Sequence, residues 1–545
     1  MPTTIFQAKA IHTMTTTRPM ATHVAVRDGR ILGVGTLKEL ERWGDYRLDT
    51  TFADKVLLPG FVEGHAHASA GPVWDGTYLG WYDRTDPEGK VWKGLKTVDD
   101  IVARLKKADA AAPGTGPLIA WGLDPIYMDN VRITRQDLDR ATTERAILIT
   151  HASGHIMSMN SKGLEDVGLL KQGLNHPAIP LGADGLPMGE LLGPEVMVPA
   201  ATRLGYDRRA EEANPAGMKA FTKVCVRAGV TTIADLARTY TRDDVDKMLV
   251  QTAAPDFPIC LVPFRHGRDM APKDLIAYMV EMKAKSTERL ELGNIKLHAD
   301  GSIQGFTARL RWPGYQNGAP NGLWYLAPEQ LTEILEGAFE NGLLVHVHTN
   351  GDEASELVID TVEKVLKKIP AADNRTTLQH CQMATPAQFR KAARLGMCVN
   401  LFANHHWFWG DEHYKYTVGP ERAERMNACR TALDMGVPMT IHSDAPVTPL
   451  GPLFTAWAAV NRLTPSGRVQ GEAEKITVAE ALQAITLGAA FTMKMDHLIG
   501  SIEAGKRADF AVLDEDPYKV APEALKDVPV WGTVQGGRVF PVAGL

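Results

Sequence analysis

The stretch Leu57-Leu-Pro-Gly-Phe-Val-Glu-Gly-His-Ala-His67 runs from an apolar segment directly into a pair of histidines. Residues two apart in a β-strand point to the same side, so this segment predicts a strand that presents His65 and His67 together at its C-terminal end. Enzymes built on parallel barrels have their active sites at the C-terminal ends of the strands. Two adjacent imidazoles are ready ligands for a divalent metal, although a His-x-His pair also arises by chance, or as a satisfied buried pair, in a chain with 17 histidines.

Seven further apolar segments have the length and composition of buried strands, and amphipathic helices alternate with them. The helices predicted over 215–228, 328–341 and 386–395 each begin with proline, and glycine follows the last two. This alternation indicates an α/β fold, and eight strands suit a closed (β/α)8 barrel of the TIM type. The predicted strands are Val56–Val62, Val230–Leu236, Ile259–Phe264, Ile295–Ala299, Leu343–His348, Thr376–Gln379, Met397–Leu401 and Pro438–His442.

Both ends of the chain differ in pattern from its middle. They alternate apolar and polar residues around tight turns at Asp28-Gly29 and Gly536-Gly537, which predicts a small β-sandwich built from both termini. About 165 residues separate predicted strands one and two, far more than a βα unit needs, so we expect an inserted subdomain over the barrel mouth. The expected division is 1–55 with 496–545 for the sandwich, 56–75 with 205–495 for the barrel, and 76–204 for the insertion.

Charge and cysteine content exclude several classes of protein. Lys plus Arg number 59 against 65 Asp plus Glu, a net charge of -6, so the basic surface that nucleic-acid binding needs is lacking. A small, uncharged or weakly charged substrate is the expected partner. The five cysteines are scattered, which indicates a reduced compartment, and no segment approaches the roughly 20 apolar residues of a membrane span. We therefore expect a cytoplasmic enzyme that does not contact membranes.

The fourth predicted strand carries ionisable residues on one face. In Asn294-Ile-Lys-Leu-His-Ala-Asp-Gly301, alternation places Lys296, His298 and Asp300 on the same side. A lysine inside a barrel is costly unless it is paired or neutral. One interpretation is a buried ion pair between Lys296 and Asp300. The other is a neutral amine, its pKa lowered by two nearby cations, that combines with carbon dioxide and bridges both metals as a carbamate.

Three later strands end in the same kinds of residue. The fifth ends in Val345-His-Val-His-Thr-Asn-Gly-Asp352, the sixth in Leu378-Gln-His380 and the eighth in Thr440-Ile-His-Ser-Asp-Ala-Pro446. Each segment alone is more often structural than functional. Together they place imidazoles and a carboxylate at three more strand ends, which random placement rarely does, and they indicate a metal centre at the C-terminal rim.

These segments resemble the amidohydrolase superfamily, specifically its family 3 branch, which includes N-substituted formamide deformylases. The resemblance spans nearly the whole chain. It is carried by Pro59-Gly-Phe-Val-Glu-Gly-His-Ala-His67, Ile295-Lys-Leu-His-Ala-Asp-Gly-Ser302, His348-Thr-Asn-Gly-Asp352, Gln379-His380, Ser443-Asp-Ala-Pro446 and Gly500-Ser-Ile-Glu-Ala-Gly-Lys-Arg-Ala-Asp-Phe-Ala-Val-Leu513.

The resemblance implies a centre of two divalent metal ions, and zinc suits a site rich in histidine. His346 shares a face with His348 but is expected behind the ligands. The implied ligands are His65, His67 and Asp444 for one metal, His348 and His380 for the other, and Lys296, as its carbamate, for both.

Two residues are expected to act on the reacting groups. Asp444 would orient a metal-activated hydroxide, take up its proton during attack on the carbonyl and deliver it to the leaving nitrogen. The alternative for Asp444 is a ligand only. His155, in Thr150-His-Ala-Ser-Gly-His-Ile-Met-Ser-Met-Asn160, resembles a histidine that the family directs into its site, where it would donate to a developing oxyanion. A solvent-facing turn histidine is the alternative.

The chain departs from the family pattern beside the expected ligands. Glu63-Gly64 stand where the family commonly has Asp-Ser, Gln379 where it commonly has Glu, and Thr349-Asn350 where Ala-Ile is frequent. No ligand is lost by these changes. The residues behind the ligands, and with them the substrate preference, are what differ.

The resemblance implies hydrolysis of a non-peptide, amide-type carbon–nitrogen bond in a small molecule. We expect a loop after strand seven, Asn404-His-His-Trp-Phe-Trp-Gly-Asp-Glu-His-Tyr414, to wall an apolar or aromatic substituent. Packing against the insertion or a second subunit is the alternative for this loop. The expected substrate contacts are His298, Asp300, Trp121, His406, Trp407 and Trp409.

The sequence leaves other functions open. The same two-metal site would hydrolyse a carbamate, cyclic amide or lactone, because a fold does not fix the acyl group. A mononuclear aminohydrolase acting on a nucleobase-like ring would leave Lys296 without a bridging role. A metal-free barrel acting as a binding module is a third class, and the occupation of all six ligand positions argues against it. Barrels of this class often form homodimers, but the sequence does not fix the oligomeric state.

Overall fold

The computed structural model describes residues 3–112, 114–129, 131–154, 156–206 and 214–545. The chain divides into two compact units. The larger contains the chain up to Ala68 together with Thr222–Leu545, and the smaller contains Ser69–Phe221. The smaller unit therefore interrupts the larger one between the first two strands of its barrel. Within the described residues, no helix is long and apolar enough to cross a membrane.

Eight parallel strands form the centre of the larger unit, and they confirm the predicted TIM-type α/β fold. Each strand pairs with its neighbour in the sequence, as βα units require. The last strand returns to the first: Ala66 and Ala445 form a parallel bridge, and the His67 amide donates to the Ala445 carbonyl at 2.6 Å. The barrel strands are Phe61–Ala66, Val230–Arg238, Cys260–His266, Asn294–His298, Leu344–Thr349, Thr377–His380, Cys398–Leu401 and Met439–Ile441.

The predicted first strand combines parts of two sheets. Val56–Pro59 belong to the sheet formed by the chain ends, and the barrel strand begins only at Phe61. Gly60 makes the passage: its amide donates to the Asp509 carbonyl at 2.8 Å, and a Cβ there would stand 2.0 Å from the Thr231 hydroxyl oxygen. A continuous apolar run does not show where a chain changes sheet, so the sequence pattern joined the two strands into one.

Helices follow the barrel strands, and local sequence sets their ends. All three predicted helices are present, and each ends one residue earlier than predicted. The third begins at a capping box, in which Thr385 and Gln388 each bind the other's backbone amide, and it buries Phe389. The α-helices between residue 215 and the C-terminus are Pro215–Arg227, Arg242–Ala253, Pro272–Lys283, Pro328–Glu340, Asp352–Lys368, Pro386–Arg394, His405–Glu412, Pro420–Arg425, Cys429–Asp434, Pro452–Asn461, Val478–Gln483 and Ala489–Thr492.

Both chain ends contribute to one seven-stranded sheet. Two of its hairpins turn where predicted, and Asp28, Gly29, Gly536 and Gly537 all have positive φ, as a two-residue type I′ turn requires. A β-sandwich needs a second, facing sheet, so the sandwich itself stays a prediction. Across the sheet the strands are Arg538–Pro541, Val530–Gln535, Phe510–Leu513, Tyr46–Pro59, Thr3–His12, Met20–Arg27 and Arg30–Gly35.

The smaller unit has its own sheet and helices. Its bounds, Ser69–Phe221, are wider than the predicted insertion over 76–204, and its place over the barrel mouth stays a prediction. The five strands of the sheet are, in order, Glu190–Leu192, Ile156–Met159, Ile147–His151, Leu118–Leu123 and Thr77–Tyr78; Arg84–Thr85 pairs with Val91–Trp92. The α-helices before residue 206 in this unit are Val98–Ala111, Arg135–Asp139, Ser161–Asp166 and Pro194–Arg203.

Trp121, an expected substrate contact, lies in the core of this smaller unit. Its side chain packs edge-on against Trp74, with ring centroids 5.0 Å apart, and against Tyr78 at 4.9 Å. The Arg84 guanidinium lies 5.3 Å from its ring centroid. Only 5% of Trp121 is exposed. The structure does not support the substrate contact, because the unit's own residues cover the ring.

Candidate metal centre

Three of the predicted ligands meet where the first and last barrel strands end. The Nε2 atoms of His65 and His67 lie 3.3 and 3.0 Å from Asp444 Oδ1. The Asp444 amide donates to the His65 carbonyl at 3.1 Å, so the backbone itself holds the carboxylate beside the two rings. The ligand atoms of these three residues all lie within 4.8 Å of one another, a spacing that one metal ion can bridge.

Hydrogen bonds behind His65 and His67 decide which ring nitrogen carries the proton. His67 Nδ1 lies 2.8 Å from the Leu236 carbonyl, which can only accept, so His67 is protonated at Nδ1. His65 Nδ1 donates in the same way to Gln379 Oε1 at 2.7 Å. Burial lowers the pKa of His65 well below its ordinary value and keeps that ring neutral. The neutral His65 ring therefore turns an Nε2 lone pair toward Asp444, and His67, with a proton on Nδ1, offers the same lone pair in its neutral form.

Three acceptors thus converge without a donor between them. Asp444 Oδ1 is buried and has no hydrogen-bond partner among the described residues. The two nearest nitrogens are the Nε2 atoms of His65 and His67, and each offers a lone pair rather than a proton when its ring is neutral with the proton on Nδ1. Such a buried cluster is unfavourable by itself, whereas a divalent cation would satisfy all three groups. The residues present therefore fit a metal ion.

Gln379 is the centre of the hydrogen-bond chain behind His65. Its Oε1 accepts from His65, and its Nε2 donates to His346 Nδ1 at 2.8 Å. His346 Nε2 in turn donates to the Thr492 carbonyl at 3.1 Å. Because a carbonyl can only accept, this last contact fixes every donor and acceptor in the chain. Gln379 and His346 therefore hold His65 in the tautomer that binds metal.

A second group of imidazoles lies beside the first. The ligand nitrogens of His65, His380 and His442 also lie within 4.8 Å of one another. His442 Nδ1 donates to Asn400 Oδ1 at 2.8 Å, and Asn400 is oriented by a bond from its Nδ2 to the Gly64 carbonyl at 3.1 Å. His442 Nε2 is then a lone pair, and His380 Nδ1, 3.2 Å away, donates to it. His380 is left with Nε2 as its metal-binding nitrogen.

His348 lies next to this second group rather than within it. Its ring centroid is 4.4 Å from that of His380, and its Nε2 donates to the Gly301 carbonyl at 3.0 Å. Among the described residues, the convergent groups include His442 but not His348. The sequence interpretation had not selected His442. Its position directly after Ile441, the last residue of strand eight, places it at the C-terminal rim of the barrel, and that is the signal that identifies it.

Lys296 is fully buried inside the barrel. Among the described residues, its Nζ has neither a hydrogen-bond nor an ion-pair partner. Burial lowers its pKa to about 7, and the negative charge of Asp444 opposes that shift. An amine that is substantially neutral near pH 7 is nucleophilic enough to combine with carbon dioxide. Lys296 therefore fits the expected carbamate, which itself stays a prediction.

Asp300 does not pair with Lys296, so that alternative is wrong. Its carboxylate accepts from the backbone amides of Arg309 and Asn350, both at 2.9 Å, and of Gly351 at 2.8 Å. Burial raises its pKa to about 7. The predicted substrate contact of Asp300 is also contradicted, because the side chain is fully buried and both oxygens bind the loops after strands four and five. Asp300 joins those loops instead.

Glu63 ties strand one to the segment that carries Asp444. Its carboxylate accepts from the Ser443 hydroxyl at 2.7 Å and from the Ser443 and His65 amides at 3.2 Å. Burial raises its pKa to about 8. Glu63 thus fixes the residue next to Asp444 and the backbone of His65 at the same time.

Strained backbone occurs at two of the predicted ligands. His380 and Asp444 have φ of 67° and 54°, the left-handed region that residues other than glycine rarely adopt. Ala237, which follows the carbonyl that binds His67, has φ of 63°. Such conformations cost of order 1–3 kcal/mol each and are typical of functional sites.

The aromatic segment after strand seven is the helix His405–Glu412, not the predicted loop. His406 is fully buried, and its Nδ1 lies 2.9 Å from Gln470 Oε1. Trp409 is 1% exposed, and Trp407 packs its partly exposed ring against a neighbouring tryptophan at 5.3 Å. His406 and Trp409 are therefore core residues rather than a substrate wall. Aromatic and histidine residues favour helices only weakly, so tertiary packing decides this element.

Three further histidines bear on the predicted site. His155, the expected oxyanion donor, lies outside the described residues. His298 lies at the end of strand four, partly exposed, with its ring 5.0 Å from that of His348. His298 also contacts His266, which the sequence interpretation missed. The predicted third strand ended at Phe264; two more residues of alternation would have placed His266 at the same rim.

The chain is similar to members of one enzyme family along nearly its whole length. A family model described as "Amidohydrolase family" matches residues 53–541. The protein YtcJ of Bacillus subtilis strain 168 is 26% identical over 551 residues, which cover 98% of each chain. The N-substituted formamide deformylase of Arthrobacter pascens is 25% identical over 552 residues, covering 97% of this chain and 96% of the relative.

The barrel also matches a solved structure. The crystal structure of an uncharacterized metal-dependent hydrolase from Pyrococcus horikoshii OT3 has a TM-score of 0.73 to this chain. The match covers 95% of this chain and 99% of that one, at 19% sequence identity. Similarity at that level shows a shared fold.

Proposed function

The chain belongs to the amidohydrolase family, and from this premise we propose that it is a metal-dependent hydrolase of a non-peptide, amide-type carbon–nitrogen bond in a small substrate. One observation carries the proposal. His65 Nε2, His67 Nε2 and Asp444 Oδ1 converge as three acceptors, and Asp444 Oδ1 has no donor among the described residues. Family membership supports the hydrolase class, and the convergence supports the metal.

The donors present divide naturally between two metal ions. His65, His67 and Asp444 would hold the first. His380 through Nε2 and His348 through Nδ1 would hold the second, with Lys296 bridging as its carbamate. Zinc suits this mixture of imidazole and carboxylate. Ions of this kind, when bound, acidify water and polarise a carbonyl oxygen.

Asp444 is the group best placed to move the proton. It lies at the barrel rim with one oxygen between two metal-binding rings, and it stays 7% exposed. In this proposal the carboxylate accepts the proton that water loses as it attacks the carbonyl carbon. It then delivers that proton to the nitrogen, since an amide nitrogen departs only when protonated. His155 is proposed to donate a hydrogen bond to the carbonyl oxygen during the same step.

N-substituted formamides are the first substrates to test, because a relative that matches along almost its full length carries that activity in its name. An apolar or aromatic substituent on nitrogen is our proposal for the rest of the molecule. Trp407, with its partly exposed ring, is the remaining member of the predicted wall.

The test is turnover of N-aryl and N-alkyl formamides and acetamides by the wild type and by Asp444→Asn. We expect wild-type release of the amine, with much of the metal content preserved and turnover lowered about 10²- to 10⁴-fold in the variant. Asp373→Asn, which changes an exposed carboxylate, should behave as wild type. Near-normal turnover by Asp444→Asn would end the proposal for that residue. Wild-type turnover of carbamates or lactones but not amides would contradict the assignment of an amide bond.

A further inference from the structure

Three imidazoles lie in a row at the ends of strands three, four and five. The ring centroids of His266 and His298 are 5.0 Å apart, and those of His298 and His348 are also 5.0 Å apart, both pairs stacked. His298 and His348 are direct neighbours in the strand register. Only His348 is among the predicted ligands. The other two rings need a separate explanation.

Backbone chemistry fixes the proton positions along this row. The Arg268 amide donates to His266 Nδ1 at 3.0 Å, so this nitrogen is an acceptor and cannot carry a proton. Burial lowers the pKa of His266 to about 3, so the ring is neutral and its proton lies on Nε2. His266 Nε2 then donates to His298 Nδ1 at 3.2 Å. A neutral His298 must therefore carry its own proton on Nε2.

The remaining N–H of His298 has no partner among the described residues. Within the part of the chain that the structure describes, this ring makes one hydrogen bond, which it accepts from His266 at Nδ1. The side chain is partly exposed, whereas His65, His348 and His380 are buried. His298 Nε2 therefore offers a proton rather than a lone pair, which makes it unsuited to bind a metal and suited to bind an acceptor oxygen.

The position of this donor matches the site. Lys296 and His298 share a face of strand four, roughly 7 Å apart along the chain. We propose that His298 donates its Nε2 proton to the substrate carbonyl oxygen as negative charge develops there, and that His266 is the residue that positions this donor by fixing its tautomer. The proposal rests on the proposed amide hydrolysis. It assigns an oxyanion donor to a residue of the barrel strands themselves.

Paired variants test the donor. The probe substrate is N-(4-nitrophenyl)formamide, which releases a coloured aniline. His298→Phe removes the donor and should lower kcat about 10²- to 10³-fold, the usual cost of losing one oxyanion donor. His298→Gln, whose amide can donate from a similar position, should recover most of it. Both should keep wild-type metal content. Loss of metal in His298→Phe, or unchanged kcat, would overturn the proposal.

The positioning role has its own readout. His266→Gln can still donate to His298 Nδ1 and should stay close to wild type, whereas His266→Phe should lower kcat. In ¹⁵N-histidine spectra of the metal-loaded enzyme, His298 should show a protonated Nε2, and the signal should change to a mixture of tautomers in His266→Phe. A protonated Nδ1 in the wild type would overturn the proposal.

These spectra do not depend on turnover, so they separate the two claims. If the wild type hydrolyses no amide, the proposed function fails. In that case acetamide, used only as a carbonyl ligand, should still shift the His298 Nε2–H resonance, and no shift at saturating acetamide would overturn the donor role.

Discussion

Replacing Gln379 by methionine should weaken metal binding without touching a ligand. Gln379 is fully buried, and methionine preserves most of its volume. The change removes the acceptor for His65 Nδ1–H at 2.7 Å and the donor to His346 Nδ1 at 2.8 Å. The proton of His65 is then free to move to Nε2, where it can donate to Asp444 Oδ1 at 3.3 Å. A metal would have to displace that proton.

The two lost hydrogen bonds set the expected losses of stability and of zinc affinity in Gln379→Met. A buried polar group left without its partner costs about 1–3 kcal/mol, and the variant leaves two of them. Loss of a residue that orients a metal-binding histidine typically lowers metal affinity about 10- to 100-fold. We therefore expect zinc affinity to fall by that factor and the thermal midpoint of the metal-free protein to fall as well.

The assay is competition for zinc against a chromophoric chelator, with Gln379→Glu as the matched control. A carboxylate still accepts from His65, so zinc affinity should stay close to that of the wild type. Its second oxygen faces the unprotonated His346 Nδ1, a nitrogen that burial keeps neutral by lowering the pKa of His346 to about 3. The control should therefore lose stability but not affinity. Wild-type zinc affinity in Gln379→Met would refute the reasoning about the tautomer of His65.

Three further predictions concern buried residues. In metal-free protein, burial lowers the pKa of Lys296 to about 7, against an ordinary 10.5. Between these values the unfolded state binds more protons, so the free energy of unfolding should rise with pH across that window by up to roughly 5 kcal/mol. Lys296→Met should abolish this rise in thermal midpoints measured from pH 7 to 10, and an unchanged pH profile would contradict the burial of a free amine. Asp300→Asn should lower the denaturation midpoint, because an amide group would face backbone N–H donors that now bind a carboxylate, at a cost of about 1–3 kcal/mol. A variant of normal stability with an altered KM would instead favour the substrate contact. Trp409→Ala should cost about 3–5 kcal/mol as a core truncation, whereas normal stability with changed substrate preference would return Trp409 to the wall of the site.

Alternation along strands predicted much of the site because its signal is local. His65, His67 and Lys296 each stand where a period of two along a strand places them, whereas the choice of Asp444 came from the family resemblance. The structure brings His65, His67 and Asp444 together. The eight strands were recognisable for the same reason. Their apolar runs are bounded by turns and helices with clear start and stop residues.

Hydrogen-bond partners were beyond the sequence because they come from distant strands. Gln379 is 314 residues from His65, and His442 lies 62 residues from His380. No nearby residue in the sequence indicates either contact. The sequence therefore showed that Gln379 departs from the family pattern, but not that it binds His65. The helix with Trp409 shows a second limit, since a cluster of aromatic residues looks the same whether it lines a pocket or fills a core.

Metal content of the wild-type enzyme is the most direct test of the proposed metal centre. Mass spectrometry on protein grown without added zinc, followed by titration with zinc, should find about two divalent ions per chain. The intact protein should also carry the added mass of one carbon dioxide, and Lys296→Met should lack it. Protein that contains no metal and takes up none on titration would contradict the account, because the convergence of His65, His67 and Asp444 would then have no cation to explain it.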